Sequence, residues 1–344
     1  MNYTFYTTSE KAWGAMLEAI SGARVSIFLE MYIFIDNTDK YNFFELLAQK
    51  AREGIAVKII VDSFGSQELD SKTIEKIKKA GAEVLFFSYW LRRMHKKVLV
   101  VDEKTAFLGG VNIHKLFQKW NDLQVRFTGR MVKSIVRSFA KNYRICGGKD
   151  PNILAYYHKK NIFKKTRMWF LQHRQSSGDL LLKKRYQEKL ASAQKSVVIV
   201  TPYFAPRRWL FAALHQAVLR GALVSILVPR RTDHWIFNRV NYFYVLKLQR
   251  MGVVFYLHKN MNHAKAMLID DTEGAVGSQN IDPLSFGYNV EAGIFFRDKQ
   301  MVRELGGIIG AWKQNCVVFD PSMHKKTWFD YLLAPLISVF QSLV

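Results

Sequence analysis

Residues 94–103 read MHKKVLVVDE, and residues 261–271 read MNHAKAMLIDD. Each stretch spells His, one residue, Lys, four mostly apolar residues, then Asp. The first copy is His95, Lys97 and Asp102; the second is His263, Lys265 and Asp270. The β-branched and apolar run after each His predicts a strand, which turns alternate side chains to one face. His95 and Lys97 therefore share a face, as do His263 and Lys265. Each Asp completes its frame but stands at an odd spacing from its His. That spacing puts it on the opposite face and predicts a structural role at the strand end. With nine His in the chain, ordinary composition would yield one such frame about 0.03 times. Two frames call for a common origin.

The flanking segments supply it. Before the first frame, KAWGAMLEAISGA has helical periodicity, RVSIFLEMYIF is β-rich, NFFELLAQKAREG is helical and IAVKIIVD is a strand. SKTIEKIKKAG then reads as a helix ending at Gly81, followed by the strand AEVLFF. Before the second frame the order repeats as KKRYQEKLASAQK, SVVIVTPYF, RRWLFAALHQAVLRG, ALVSILVP, YFYVLKLQRMG and VVFYL. Gly54 matches Gly221, Gly81 matches Gly252 and His95 matches His263, all at nearly the same offset along the chain. A near-constant offset over units this long indicates a duplicated α/β half, two copies making one molecule. The expected organisation is a first half over 1–148, a linker over 149–178, a second half over 179–320 and an apolar tail over 321–344.

Each frame is followed by glycine and asparagine. FLGGVN carries Gly109, Gly110 and Asn112, and AVGSQN carries Gly277, Ser278 and Asn280. Glycine lets backbone approach a ligand closely, while an amide or hydroxyl can donate to phosphate oxygens. Asn112, Ser278 and Asn280 are therefore candidate substrate-phosphate contacts. Farther on, Asp122 follows His95 and Glu291 follows His263 at almost equal separations. A buried carboxylate accepting from one imidazole nitrogen fixes the tautomer and aims the other nitrogen, which makes Asp122 and Glu291 candidate histidine-orienting residues.

Composition narrows the partner. The 344 residues are 49% hydrophobic and 23% charged, as in a folded chain, yet carry a formal charge of +23. That excess points to a polyanionic partner, nucleic acid or an anionic membrane. The two cysteines, Cys146 and Cys316, lie far apart without metal-ligand spacing, and read as thiols in a reducing compartment. No signal peptide is visible at MNYTFYTTSEKAW, and no stretch reaches the roughly 20 apolar residues needed to span a bilayer. Two segments are candidate membrane-surface contacts, the first equally readable as a solvated linker or a stacking surface for single-stranded nucleic acid, the second as a helix docked on the core. YYHKKNIFKKTRMWFLQHRQ interleaves six Lys and Arg with Phe163, Trp169 and Phe170, and WFDYLLAPLISVFQSLV at the C-terminus places Trp328 and Phe329 as an interfacial anchor.

Taken together, EMYIF, RRMHKKVLVVD, GGVNI, TPYF, NHAKAMLIDD and GSQNIDPLSFGYNVEAG resemble the phospholipase D superfamily over nearly the whole chain. The likeness is closer to bacterial cardiolipin synthases, particularly the B type, which also share Leu284 where many superfamily members have Arg. The resemblance implies an α/β fold of two pseudo-twofold-related α/β/α halves, each a mixed β-sheet flanked by helices. It implies a phosphatidyltransferase whose catalytic set is the two frames, His95, Lys97 and Asp102 with His263, Lys265 and Asp270, with His95 as nucleophile and His263 as general acid and base. Lys97, Lys265, Asn112 and Asn280 would hold the non-bridging phosphate oxygens. No metal or cofactor is implied. The expected partner is an anionic phospholipid membrane with phosphatidylglycerol as substrate. The expected location is the cytoplasmic side of a bacterial cell membrane, bound peripherally. Alternatives of the same superfamily are a phospholipase D hydrolase and a nucleic-acid phosphodiesterase; a non-catalytic membrane-binding protein is the third class.

Overall fold

The computed structural model describes residues 2–157 and 167–323. Phe163, Trp328 and Phe329, and with them the expected C-terminal anchor, lie outside the described residues.

The first half builds one seven-stranded sheet from β1 (Tyr3–Thr8), β2 (Ser26–Met31), β3 (Ala56–Asp62), β4 (Glu83–Phe87), β5 (Lys97–Val101), β6 (Thr105–Gly109) and β7 (Asn121–Thr128). Its order is β1-β7-β6-β5-β2-β3-β4. The second half builds β8 (Met168–Arg174), β9 (Ser196–Val200), β10 (Leu223–Pro229), β11 (Val254–His258), β12 (Ala266–Ile269), β13 (Glu273–Gly277), β14 (Val290–Phe296) and β15 (Cys316–Val318). Read from its β8 edge, that sheet runs β8-β14-β13-β12-β9-β10-β11-β15. Strand for strand this is the first sheet with β15 added, so the duplication expected from the offsets is present in the topology. In each half three strands are parallel, joined by helical crossovers, and the rest are antiparallel.

Between β8 and the neighbouring β14 the register is regular from Val290 opposite Arg174 to Phe296 opposite Met168. The described part of 149–178, expected as a linker, therefore does not behave as one. Pro151–Tyr157 is a helix, and Met168–Arg174 is the edge strand of the second sheet. Trp169 there does not sit free for lipid headgroups. The guanidinium carbons of Arg185 and Arg297 lie 5.1 and 5.6 Å from its ring centroid. Sequence composition misread this piece because basic and aromatic residues serve cation–π packing as well as they serve a membrane.

Three apolar clusters hold the molecule together. Two are outer clusters, one per half, formed where the amphipathic crossover helices cover the outer face of each sheet. The third is shared. Val98, Val100 and Leu108 of the first sheet pack with Ala266, Leu268 and Val276 of the second, together with Phe139 of the helix Val132–Ile145 and Leu305 of the helix Lys299–Gln314. Neither half could bury these inner faces alone, so the two copies form one body with a seam.

Candidate active site

The frames enter the seam by reciprocal backbone pairing. The His95 N–H donates to the Val290 carbonyl at 3.0 Å, and the Val290 N–H donates to the Arg93 carbonyl at 2.8 Å. On the other side the His263 N–H donates to the Asn121 carbonyl at 2.7 Å, and the Asn121 N–H returns to the Met261 carbonyl at 3.3 Å. Each histidine thus lies where its own chain segment meets the acid-bearing strand of the opposite half.

This crossing decides which acid serves which ring. Nδ1 of His95 lies 3.0 and 3.2 Å from the two carboxylate oxygens of Glu291. Nδ1 of His263 lies 2.8 Å from Oδ2 of Asp122. The matched separations along the chain relate each acid to the His of its own half; in three dimensions the partners are exchanged. With Nδ1–H donating to a carboxylate, Nε2 of each ring is left as the reactive nitrogen.

Lys97 and Lys265 share the faces of their histidines, as alternation predicted. Nζ of Lys97 donates to the His95 carbonyl at 2.6 Å, and Nζ of Lys265 to the His263 carbonyl at 2.5 Å. All six side chains are buried. Burial, opposed by Glu291, leaves His95 below its usual pKa, and Lys97 and Lys265 push in the same direction as burial. Burial with help from Lys265 lowers His263 to about 4, and Lys97 contributes across the seam. Lys97 is pulled well below the ordinary lysine range by burial, with Lys265 adding to the effect. Burial takes Lys265 to about 8 against the opposing field of Asp122. Burial alone would raise Asp122 and Glu291, but His263 and His95 respectively overcome it and hold both below their usual values. At neutral pH the site therefore holds two carboxylates and two neutral imidazoles. Burial disfavours the charged form of both lysines, so a bound anion would favour it.

Asp102 and Asp270, counted with the frame, do not reach the chemistry. Asp102 accepts from the N–H groups of Arg24, Val25 and Ser26 at 2.7–3.1 Å, and Asp270 accepts from those of Gln194, Lys195 and Ser196 at 2.7–3.2 Å. Both sit at φ 51° in the turn after the strand, and both pin the start of β2 or β9 beside it. The catalytic role that the motif suggests for them is corrected to the strand-end role that the odd spacing indicated.

The phosphate contacts divide. Ser278 Oγ is committed to the Glu291 carboxylate at 2.5 Å and supports the carboxylate behind His95. Gly110 occupies the matching place behind Asp122, where an added Cβ would collide with Asp122 Oδ1. Glycine is required here by a side chain from the neighbouring strand, where close approach of a ligand was expected. Asn112 is positioned through its Oδ1, which accepts from the Ile33 N–H at 3.3 Å. In the second half the corresponding N–H, that of Phe204, is taken by Asn241 at 2.8 Å. The Asn280 side chain is released, and its buried Oδ1 has no partner among the described residues. Of the three candidates, Ser278 is turned to Glu291, while neither asparagine spends its Nδ2, the donor a phosphate oxygen needs, in these contacts.

Two tyrosines went unassigned by sequence reasoning, although EMYIF and TPYF place them at nearly the offset that relates the two frames. The Tyr32 ring packs edge-on to His95 at 4.6 Å, with Nζ of Lys97 4.9 Å from its centroid. Tyr203 lies edge-on to His263 at 6.3 Å, and its hydroxyl donates to Asp233 at 2.6 Å. Their matched offset was the available signal. Asp62 has no such twin, since Pro229 stands at the matching position of the second half. Its Oδ2 accepts from the Met94 N–H at 2.7 Å and fixes the approach to His95.

Comparison with known proteins shows the family and the fold. A family model described as cardiolipin synthase, PLD-like domain, matches residues 16–140 and again 186–310, one match per half. The major cardiolipin synthase of Bacillus subtilis (strain 168) is 29% identical over 343 residues, covering 93% of this chain and 69% of that protein. Cardiolipin synthase A of Pseudomonas fluorescens (strain SBW25) is 30% identical, covering 86% and 65%. The chain thus spans about two thirds of the length of these curated relatives. Among solved structures, a phosphatidylserine synthase of Haemophilus influenzae superposes with a TM-score of 0.79 at 17% identity, covering 99% of this chain and 94% of its own, a likeness of fold. The chain belongs to the cardiolipin synthase, PLD-like domain family.

Proposed function

We propose that the chain is a cardiolipin synthase, transferring a phosphatidyl group from one phosphatidylglycerol to another and releasing glycerol. The observation that carries the reading is the crossed pair of imidazole–carboxylate contacts at one seam, with two buried lysines beside them. A phosphodiester anion entering this seam supplies the negative charge that the depressed lysines lack. Its arrival raises the affinity of the lysines and of one imidazole for protons.

In the proposed sequence His95 Nε2 attacks phosphorus and forms a phosphohistidine, while the glycerol oxygen leaves with a proton from His263. A hydroxyl of the second phosphatidylglycerol then loses its proton to His263 and attacks phosphorus, and His95 is released. Atoms balance: two phosphatidylglycerols give cardiolipin and glycerol. Lys97, Lys265 and the amide Nδ2 groups of Asn112 and Asn280 would hold the non-bridging oxygens as charge develops. The membrane partner follows from this substrate and from the +23 charge. The attachment proposed is peripheral and on the cytoplasmic side. Among the described residues no helix is long and apolar enough to cross a membrane.

The test incubates purified protein with phosphatidylglycerol vesicles, and separately with labelled DNA, both with chelator. Cardiolipin and glycerol in equal amounts, with intact DNA, support the proposal. Phosphatidic acid without cardiolipin would reassign the enzyme to hydrolysis, and DNA cleavage without lipid turnover would overturn the lipid reading.

A further inference from the structure

The parallel strands of each sheet end at the seam, so the loops leaving their carboxyl ends form the rim of the site. Apolar side chains stand out on that rim. Trp90 is 88% exposed and Leu91 63%, on the loop that leads from β4 into His95. Leu116 is 72% exposed, one turn before Trp120, whose ring packs 5.4 Å from that of His263. Trp235 is 62% exposed, beside Ile236 at 49%. Their neighbour Phe237 stacks 4.6 Å from Tyr203, which in turn faces His263. These tips come from both halves, on segments that lead to a catalytic histidine or carry an aromatic packed towards one. At the opposite ends of the strands the exposed apolar residues are isolated aliphatics such as Val25, Leu223 and Val254, of the kind any surface carries.

Charge on the rim says what covers it. Residues 88–94, 114–120, 201–208, 230–239 and 259–262 hold ten Lys and Arg against one acid, Asp233, whereas the loops after β2 and β3, residues 32–42 and 63–70, hold Lys40 against Asp36, Asp39, Glu68 and Asp70, so the basic excess lies on the remainder of the rim. Asp233 is engaged by the Tyr203 hydroxyl. Exposed tryptophan and aliphatic tips set among arginines match the depth profile of an anionic bilayer: aromatics at headgroup level, aliphatics just beneath, cations on phosphates. A soluble polyanion would match the cations but leave Leu91, Leu116 and Ile236 uncovered.

We propose that the rim of the active site is itself the membrane-docking face. Trp90–Leu91 from the first half and Trp235–Ile236 from the second enter an anionic bilayer on either side of the seam. The site then opens directly onto the headgroup layer, and a lipid phosphodiester reaches the histidines without leaving the membrane. This rests on the lipid-substrate reading above.

The experiment compares the full chain with the variant W90A/W235A and uses vesicles of phosphatidylglycerol and phosphatidylcholine with brominated acyl chains. Expected for the full chain are bromine quenching of tryptophan fluorescence and vesicle binding that persists in part at high salt. Expected for the variant are loss of most of that quenching and a vesicle affinity at least about tenfold weaker. Turnover of a water-soluble, short-chain phosphatidylglycerol should stay within about twofold, which separates docking from chemistry. Unchanged quenching and affinity in W90A/W235A overturn the docking face while leaving the transferase reading intact. Protection of these tryptophans by single-stranded DNA, with no quenching by anionic vesicles, overturns it as well.

Discussion

Asp122→Asn tests the crossed wiring of the site. Asp122 Oδ1 accepts from the Leu123 N–H at 2.7 Å while Oδ2 holds His263 Nδ1 at 2.8 Å. The new amide keeps its oxygen on the Leu123 N–H, because an amide nitrogen there would face a second donor. Its NH2 then faces Nδ1 and forces the imidazole proton onto Nε2, the wrong nitrogen for a base. Lost with the carboxylate is one charge-assisted hydrogen bond, about 1.5–3 kcal/mol. At about 1.36 kcal/mol per tenfold in rate, turnover should fall about ten- to 150-fold, and further if the tautomer change is complete. Cardiolipin formation from phosphatidylglycerol reads the rate. Two-dimensional 15N–1H spectra of the imidazoles read the wiring, and should show the Nδ1 and Nε2 signals of His263 exchanging character while those of His95 stay in place. Glu291→Gln should do the reverse. Should Asp122→Asn instead perturb His95, or leave turnover within twofold, the exchange of acids between halves is wrong.

Three further outcomes are expected. Lys265, lowered to about 8 in the free protein, loses its charge as pH rises through that value, so kcat/KM should decline above about pH 8. The bound anion raises the lysine's affinity for its proton, so kcat should hold to higher pH; coincident alkaline limbs in the two profiles would contradict this. Asp102→Asn and Asp270→Asn each weaken a charged acceptor shared by three backbone N–H groups at a turn that tolerates Asn. Urea unfolding should show a loss of about 1.5–3 kcal/mol, with activity per folded molecule kept; loss of activity without loss of stability would return these residues to the chemistry. Lys96→Met strands the fully buried Glu30, which Lys96 contacts at 2.7 Å, and should cost about 3–5 kcal/mol. Lys96→Met with Glu30→Leu should recover much of it, read by the same unfolding curves.

Much of this was legible because duplication writes itself twice. The two frames, the helix-ending glycines and the strand runs share one offset, and a shared offset forces a shared topology. Period-two alternation gave the face of Lys97 and Lys265, and excluded Asp102 and Asp270 from it. What stayed hidden depends on long-range geometry. Nothing in the spacing from His95 to Asp122, or from His263 to Glu291, says that Asp122 belongs to His263, because the exchange arises only when the sheets pack face to face. Asn112 and Asn280 look equivalent as letters. They differ because Asn241, on the helix Trp235–Gln249, takes the hydrogen bond that Asn280 would otherwise make. The short antiparallel strands and the helices Val132–Ile145 and Lys299–Gln314 also went unread, although these helices pack in the shared core that closes the seam.

That shared core explains how so much buried charge survives. Two lysines, two carboxylates and two imidazoles at one seam carry a desolvation cost that their mutual attractions only partly offset. The depressed histidines and lysines are the mark of the uncompensated part. An isolated half would have no reason to bear it, and could not assemble the site, since each imidazole takes its orienting carboxylate from the other half. Apolar packing of the two sheets holds the charges together, and in the proposed reading a phosphodiester anion would satisfy them. In the proposed reaction that residual cost is what would favour the reacting group, and the duplication is what makes the arrangement attainable, because only two facing copies bring both acids and both bases to one seam.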